Sequence, residues 1–128
     1  MIVKLLDSID AIDTEVDKNL IRDKNYIVLG ITFLERRIFN GIESKETYLT
    51  ILRAIDQYPC MFNIKNFEII DQKIPEGWVF YQFLNGAYSL KPKEFTGDFW
   101  DNFHDSEPEA EKTFELVYKK LMEFHGWH

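Results

Sequence analysis

Between Asp98 and Glu111 the chain carries Asp98, Asp101, Asp105, Glu107, Glu109 and Glu111 with no lysine or arginine among them. Interleaved with Phe99, Trp100 and Phe103, this segment has the make-up of a protein-binding surface. Rings anchor the centre of an interface, and like charge steers an oppositely charged partner towards it. The competing account is compensation of a helix dipole by solvated carboxylates, with the rings turned inward. On the binding account Asp98, Trp100, Asp101, Asp105, Glu107 and Glu109 touch the partner. Neutralising the acids then slows association more at low salt than at high salt.

Other chemistries find less to work with. His104, His125 and His128 beside Asp105 lack a His-Glu-x-x-His spacing, a cysteine pair or a calcium-loop pattern, so no metal and no cofactor is expected. Cys60, between Pro59 and Met61-Phe62, reads as a buried inert thiol rather than a nucleophile. With 22 Asp and Glu, some carboxylate pair can always be named for acid–base work, so a hydrolase has no specific signal and the chain is not expected to be an enzyme. Glycine-rich phosphate loops are absent. Arg36-Arg37 and Lys91-Pro92-Lys93 are short and separated, and read as solvated surface.

The balance of 22 acidic against 15 basic residues gives a net charge of −7. Such a field repels phosphate backbones and favours a basic protein partner over nucleic acid, although the same charge also simply keeps a protein in solution. A length of 128 residues suits one domain, 1–128, with enough core to need no staple. The 11 Phe, 6 Tyr and 3 Trp should dominate that core. Lone Cys60 excludes an intramolecular disulfide and fits the cytoplasm. Asp7 and Asp10 interrupt the first residues too early for a secretory apolar segment, and no run approaches the roughly 20 apolar residues that cross a bilayer.

The elements that must position these residues are organised around Trp78–Leu90, where two β-prone runs flank Asn85-Gly86. A two-residue type I′ turn there predicts that Leu84 faces Ala87, Phe83 faces Tyr88 and Tyr81 faces Leu90. Val79, Tyr81, Phe83, Tyr88 and Leu90 then share the core face, with Trp78, Phe80, Gln82, Leu84, Ala87 and Ser89 opposite. Phe62 to Asp71, with a break at Asn66, is expected beside this hairpin in a three-stranded meander. Residues 2–20 fit an amphipathic helix, or else a strand over 2–6 followed by a loop. Tyr26–Ile31 suits a buried strand. Thr32-Phe33-Leu34-Glu35 has capping-box spacing for a helix to about Asn40, closed by Gly41, against a strand continuing through Leu34. Ser44 would cap a helix over 44–58, ended by Pro59. Phe99, Trp100 and Phe103 predict one or two helical turns. Ser106-Glu107-Pro108-Glu109 predicts the cap of a helix over 106–124, whose Phe114, Val117, Tyr118, Leu121 and Phe124 form one stripe before a stop at Gly126. The expected class is α+β, an antiparallel sheet around the 78–90 hairpin packed on helices 44–58 and 106–124.

Taken together, Gly77-Trp78-Val79-Phe80-Tyr81, Asp98-Phe99-Trp100-Asp101 and Asp105-Ser106-Glu107-Pro108-Glu109 resemble the immunity proteins of bacterial polymorphic-toxin and contact-dependent inhibition systems, including those paired with Maf-type toxins. The likeness covers the whole chain in size and balance. It implies a cytoplasmic α+β inhibitor, without enzymatic activity, that presents acids and rings to the C-terminal domain of a cognate toxin and occludes a basic cleft, such as that of a nuclease. The alternative is a small intracellular domain with a structural or regulatory role. Direct nucleic-acid or membrane binding is not expected.

Overall fold

The computed structural model describes residues 1–7, 19–38, 42–84 and 86–127. Strands β1 (Ile2–Leu5), β2 (Asn25–Ile27) and β6 (Phe67–Asp71) form a three-stranded antiparallel sheet in the order β2-β1-β6. A second antiparallel sheet has the order β5-β4-β3-β8-β7, from β3 (Gly30–Ile38), β4 (Ile42–Leu52), β5 (Pro59–Asn63), β7 (Trp78–Gln82) and β8 (Tyr88–Pro92). Helices α1 (Phe99–His104) and α2 (Pro108–Phe124) follow. The class is α+β, as the sequence implies.

Two of the expected helices are strands. Over 33–38 and 44–52 the chain instead forms β3 and β4, paired from Gly30↔Thr50 to Ile38↔Ile42, and 53–58 turn back towards β5. The reason is that alternation and a helical stripe share many positions in a short apolar run, and β-branched Thr47, Thr50 and Ile51 tip the balance. Leu49 and Ile51 point inward with no exposure, whereas Ile55, counted in the helical stripe, is exposed in the turn beyond β4. Thr32 donates no cap, because its backbone is committed to Tyr48 on one side and Ser89 on the other. Gly41, expected as the stop, lies outside the described residues, as do 8–18 of the amphipathic stretch, whose start is β1 rather than helix.

The segment 59–71 does break before Phe67, at a 3₁₀ turn over Ile64–Asn66, but neither half lies beside the hairpin. β5 pairs with β4, and β6 crosses to β1 in the other sheet, so the expected meander is replaced by a long hairpin, β3-β4, inserted between β5 and β8. Val3, Leu5, Tyr26, Ile31, Leu49, Ile51 and Phe62 fill the space between the two sheets. Ile2 and Ile27, on the opposite face of the small sheet, pack with Phe95, Phe99, Ala110, Val117 and Leu121 under the helices. Trp78 touches both clusters.

The 78–90 hairpin forms, with its register displaced by one residue. Phe83 N–H donates to the Ala87 carbonyl at 2.7 Å and Gly86 N–H to the Phe83 carbonyl at 3.1 Å, which makes the loop three residues long, 84–86. Such a loop needs one left-handed residue, and Gly86 supplies it at φ +87°. Tyr81 consequently faces Ser89, and Val79 faces Lys91. Tyr81 and Phe83 therefore share a face with Ala87, Ser89 and Lys91, while Tyr88 and Leu90 move to the side of Phe80.

Between the helices, Ser106 is not the cap expected of it. Its φ is +60°, and Ser106 N–H bonds the Phe103 carbonyl while Glu107 N–H bonds that of Asn102, the paired bonds of a Schellman motif ending α1. Glu107 then starts α2 with Pro108 behind it and no side-chain cap bond. At the far end the same motif recurs. Trp127 N–H reaches the Met122 carbonyl at 2.8 Å and Gly126 N–H that of Glu123 at 3.0 Å, so Gly126 is the stop.

Candidate functional site

Helix α1 is a ridge with a different surface on each flank. On one side Asp98, Glu107 and Glu109 join Glu94, Thr96, Asn102 and Thr113 around an open depression of about 430 Å³. On the other, Trp100 and Asp101 line a larger groove, and Asp105 borders neither. The six predicted contact residues are thus divided by the helix that carries Trp100 and Asp101. All five acids are exposed, as are Glu94 and Glu111, and none of these carboxylates forms an ion pair among the described residues.

The rings are placed differently from the acids. Phe99 is 8% exposed and stacks on Phe95 at 4.7 Å, and Phe103 lies 4.9 Å from Phe114. Phe99 and Phe103 therefore serve the core beneath α2, and of the three only half-buried Trp100 also lines the groove. An interface presenting all three rings is not what the geometry offers. The physical cause is the spacing itself: positions 99, 100 and 103 span one flank of a helix that must bury something against α2.

The groove lies on the face of the large sheet opposite Ile31, Leu49, Ile51 and Phe62. Its floor comes from Gly30, Thr32 and Leu34 of β3, with Thr50 and Met61 from the next two strands. Tyr81, Phe83 and Lys91 of the hairpin form one wall, and Trp100, Asp101 and His104 of α1 close an end, giving a volume of about 920 Å³. Tyr58 Oη and His104 Nδ1 are hydrogen-bonded across that end, and the Arg53 guanidinium sits 5.7 Å from the Tyr58 ring while forking onto Asp56.

Lys91 is the residue that sequence reasoning missed. It is 7% exposed, with Nζ 5.0 Å from the centroid of Tyr81 and 4.9 Å from that of Phe83. Burial pushes its ammonium below the usual lysine value. Read as part of a solvated Lys91-Pro92-Lys93 bend, it is in fact a buried residue of β8 on the groove face, and only Lys93 is exposed. The signal was present in alternation from Ala87, through Ser89, once the loop is counted as three residues.

Comparison of the chain with family models, curated proteins and solved structures finds no match. The chemistry of both surfaces is therefore read from their own geometry. Cys60 is half-buried on β5. His104 and His125 belong to separate places, the second bonded to Asp71 Oδ2 at 3.3 Å, and His128 lies outside the described residues. Among the described residues no three His, Cys, Asp or Glu side chains converge as metal ligands, and no helix is long and apolar enough to cross a membrane.

Proposed function

We propose that this protein is a cytoplasmic binding protein that covers a positively charged surface of a partner protein with the acidic junction of its two helices, as an immunity protein covers the basic cleft of a toxin nuclease domain. The observation that carries this reading is the run of exposed carboxylates from Glu94 to Glu111, unpaired among the described residues, with Glu94, Asp98, Glu107 and Glu109 around one depression. Dipole compensation accounts for Glu109 and Glu111 in the first turn of α2. It does not account for Asp105, which caps the carbonyl end of α1, where negative charge is unfavourable. A surface that keeps charges its own helices do not need is one suited to steering.

Because two of the three rings are committed to the core, the interface would draw on charge more than on aromatic anchors. Binding should therefore be fast and salt-sensitive. Affinity capture at low salt should retain a basic protein, such as the C-terminal domain of a toxin encoded beside this gene, and release it at high salt. Replacing Asp98→Asn, Glu107→Gln and Glu109→Gln together should slow association about tenfold at low salt and far less at high salt. Equal association rates for the variant and the parent at low salt would leave the acidic junction without this role. The runner-up, a structural or regulatory domain, would be favoured by the absence of any cationic partner.

A further inference from the structure

We propose that the groove on the outer face of the large sheet binds an amphipathic organic anion, whose carboxylate or phosphate head pairs with Lys91 while its apolar body lies against the ring-lined floor. Lys91 has neither a hydrogen bond nor an ion pair among the described residues. With only 7% of the residue exposed, the Lys91 ammonium is poorly hydrated, which is costly unless something pairs with it. The π-faces of Tyr81 and Phe83 offset part of that cost but supply no hydrogen-bond acceptor. Beside it on β8, Ser89 is 1% exposed with its Oγ unpartnered among the described residues, a second donor on the same face.

The groove is also fitted to this lysine. A Cβ on Gly30 would stand 3.3 Å from Lys91 Cβ, so the lysine stem is seated against bare backbone. Of the other charged groups lining the space, Arg53 is engaged by Asp56, and Asp101, exposed at the rim on α1, is the only carboxylate among the described residues. The interior therefore complements negative charge. Its remaining surface is mainly apolar, from Leu34, Met61, Phe83 and Trp100, and its volume falls in the range of about 300–1,000 Å³ common for small-molecule sites. None of this depends on the acidic junction, which lies across α1 from the groove.

Isothermal titration of the full chain with decanoate, decyl phosphate, decanol and decyltrimethylammonium tests the proposal. Decanoate or decyl phosphate should bind saturably and roughly tenfold or more tightly than decanol, the cation weakest of all, and comparison of the two anions identifies the preferred head. Lys91→Met, similar in length and without charge, should remove that preference while decanol binds as before. Equal affinity for anion and alcohol, no saturable binding of either anion, or an unchanged preference in Lys91→Met would overturn the proposal. Should Lys91→Met fail to fold, the head-group comparison on the parent protein decides by itself.

Discussion

Ser106 holds a left-handed backbone angle of +60° as the residue that terminates α1, a conformation that costs a side chain with a Cβ about 1 kcal/mol. Its hydroxyl has no hydrogen-bond partner among the described residues. Ser106→Gly should therefore raise stability by about 1 kcal/mol, seen as a higher urea midpoint with an unchanged slope. A loss of stability would mean that the hydroxyl has a role the backbone geometry does not reveal. The contrast with Lys91 is instructive at the same scale. Residue type alone points serine to a cap and lysine to the surface, yet both are placed by what the neighbouring backbone requires. Residue preferences of a few tenths to about 1 kcal/mol yield to a strand that must alternate or a helix that must end.

At the level of elements, the hairpin loop is the point on which the groove depends. Gly86→Ala puts a Cβ at φ +87° and should cost about 1–2 kcal/mol in urea unfolding. A two-residue loop in the mutant is ruled out if the bond from Phe83 N–H to the Ala87 carbonyl persists in its amide protection pattern. The position of this hairpin, the short helix at Phe99 and the long helix to Phe124 were legible, because turn residues, proline and a stripe at spacings of three and four are local signals. Register was not: Asn85-Gly86 announces a turn, but loops of two and three residues both accept it, and the choice reverses the faces of β8 relative to β7. The β3-β4 pair was illegible for another reason. Its pairing partners β5 and β8 lie on either side in space, and strand order is a long-range property that no short window contains. The acidic segment could be read from sequence, yet its division by α1 required the helix to be in place.

Across the whole molecule, the two ends of the described chain meet β6. The Met1 amino group donates to the Lys73 carbonyl at 2.7 Å and lies 3.1 Å from His125 Nε2, while His125 Nδ1 faces Asp71. Burial lowers the Met1 amine from 8.0 to about 6, and burial, followed by that amine, lowers His125 from 6.5. Both bases bind protons more readily in the unfolded chain, so their contribution is present above pH 8 and is lost as pH falls through 6. Asp71, lowered from 3.8 chiefly by the Lys73 N–H, keeps its contribution throughout that window. Urea unfolding should show stability declining from pH 8 to pH 6 and below, with a smaller decline in His125→Gln. A flat or rising profile would contradict this account.

Glu107 completes the end of α1 with its N–H and opens α2 with its carbonyl, which Glu111 N–H meets at 3.1 Å. Only the hydrogen-bonded turn 105–107 separates the two helices. The shared residue sets the backbone of one helix against that of the other, and with it the positions from which the carboxylates project. Whatever settles on that corner meets a surface already assembled, and loses little disorder in the act of docking.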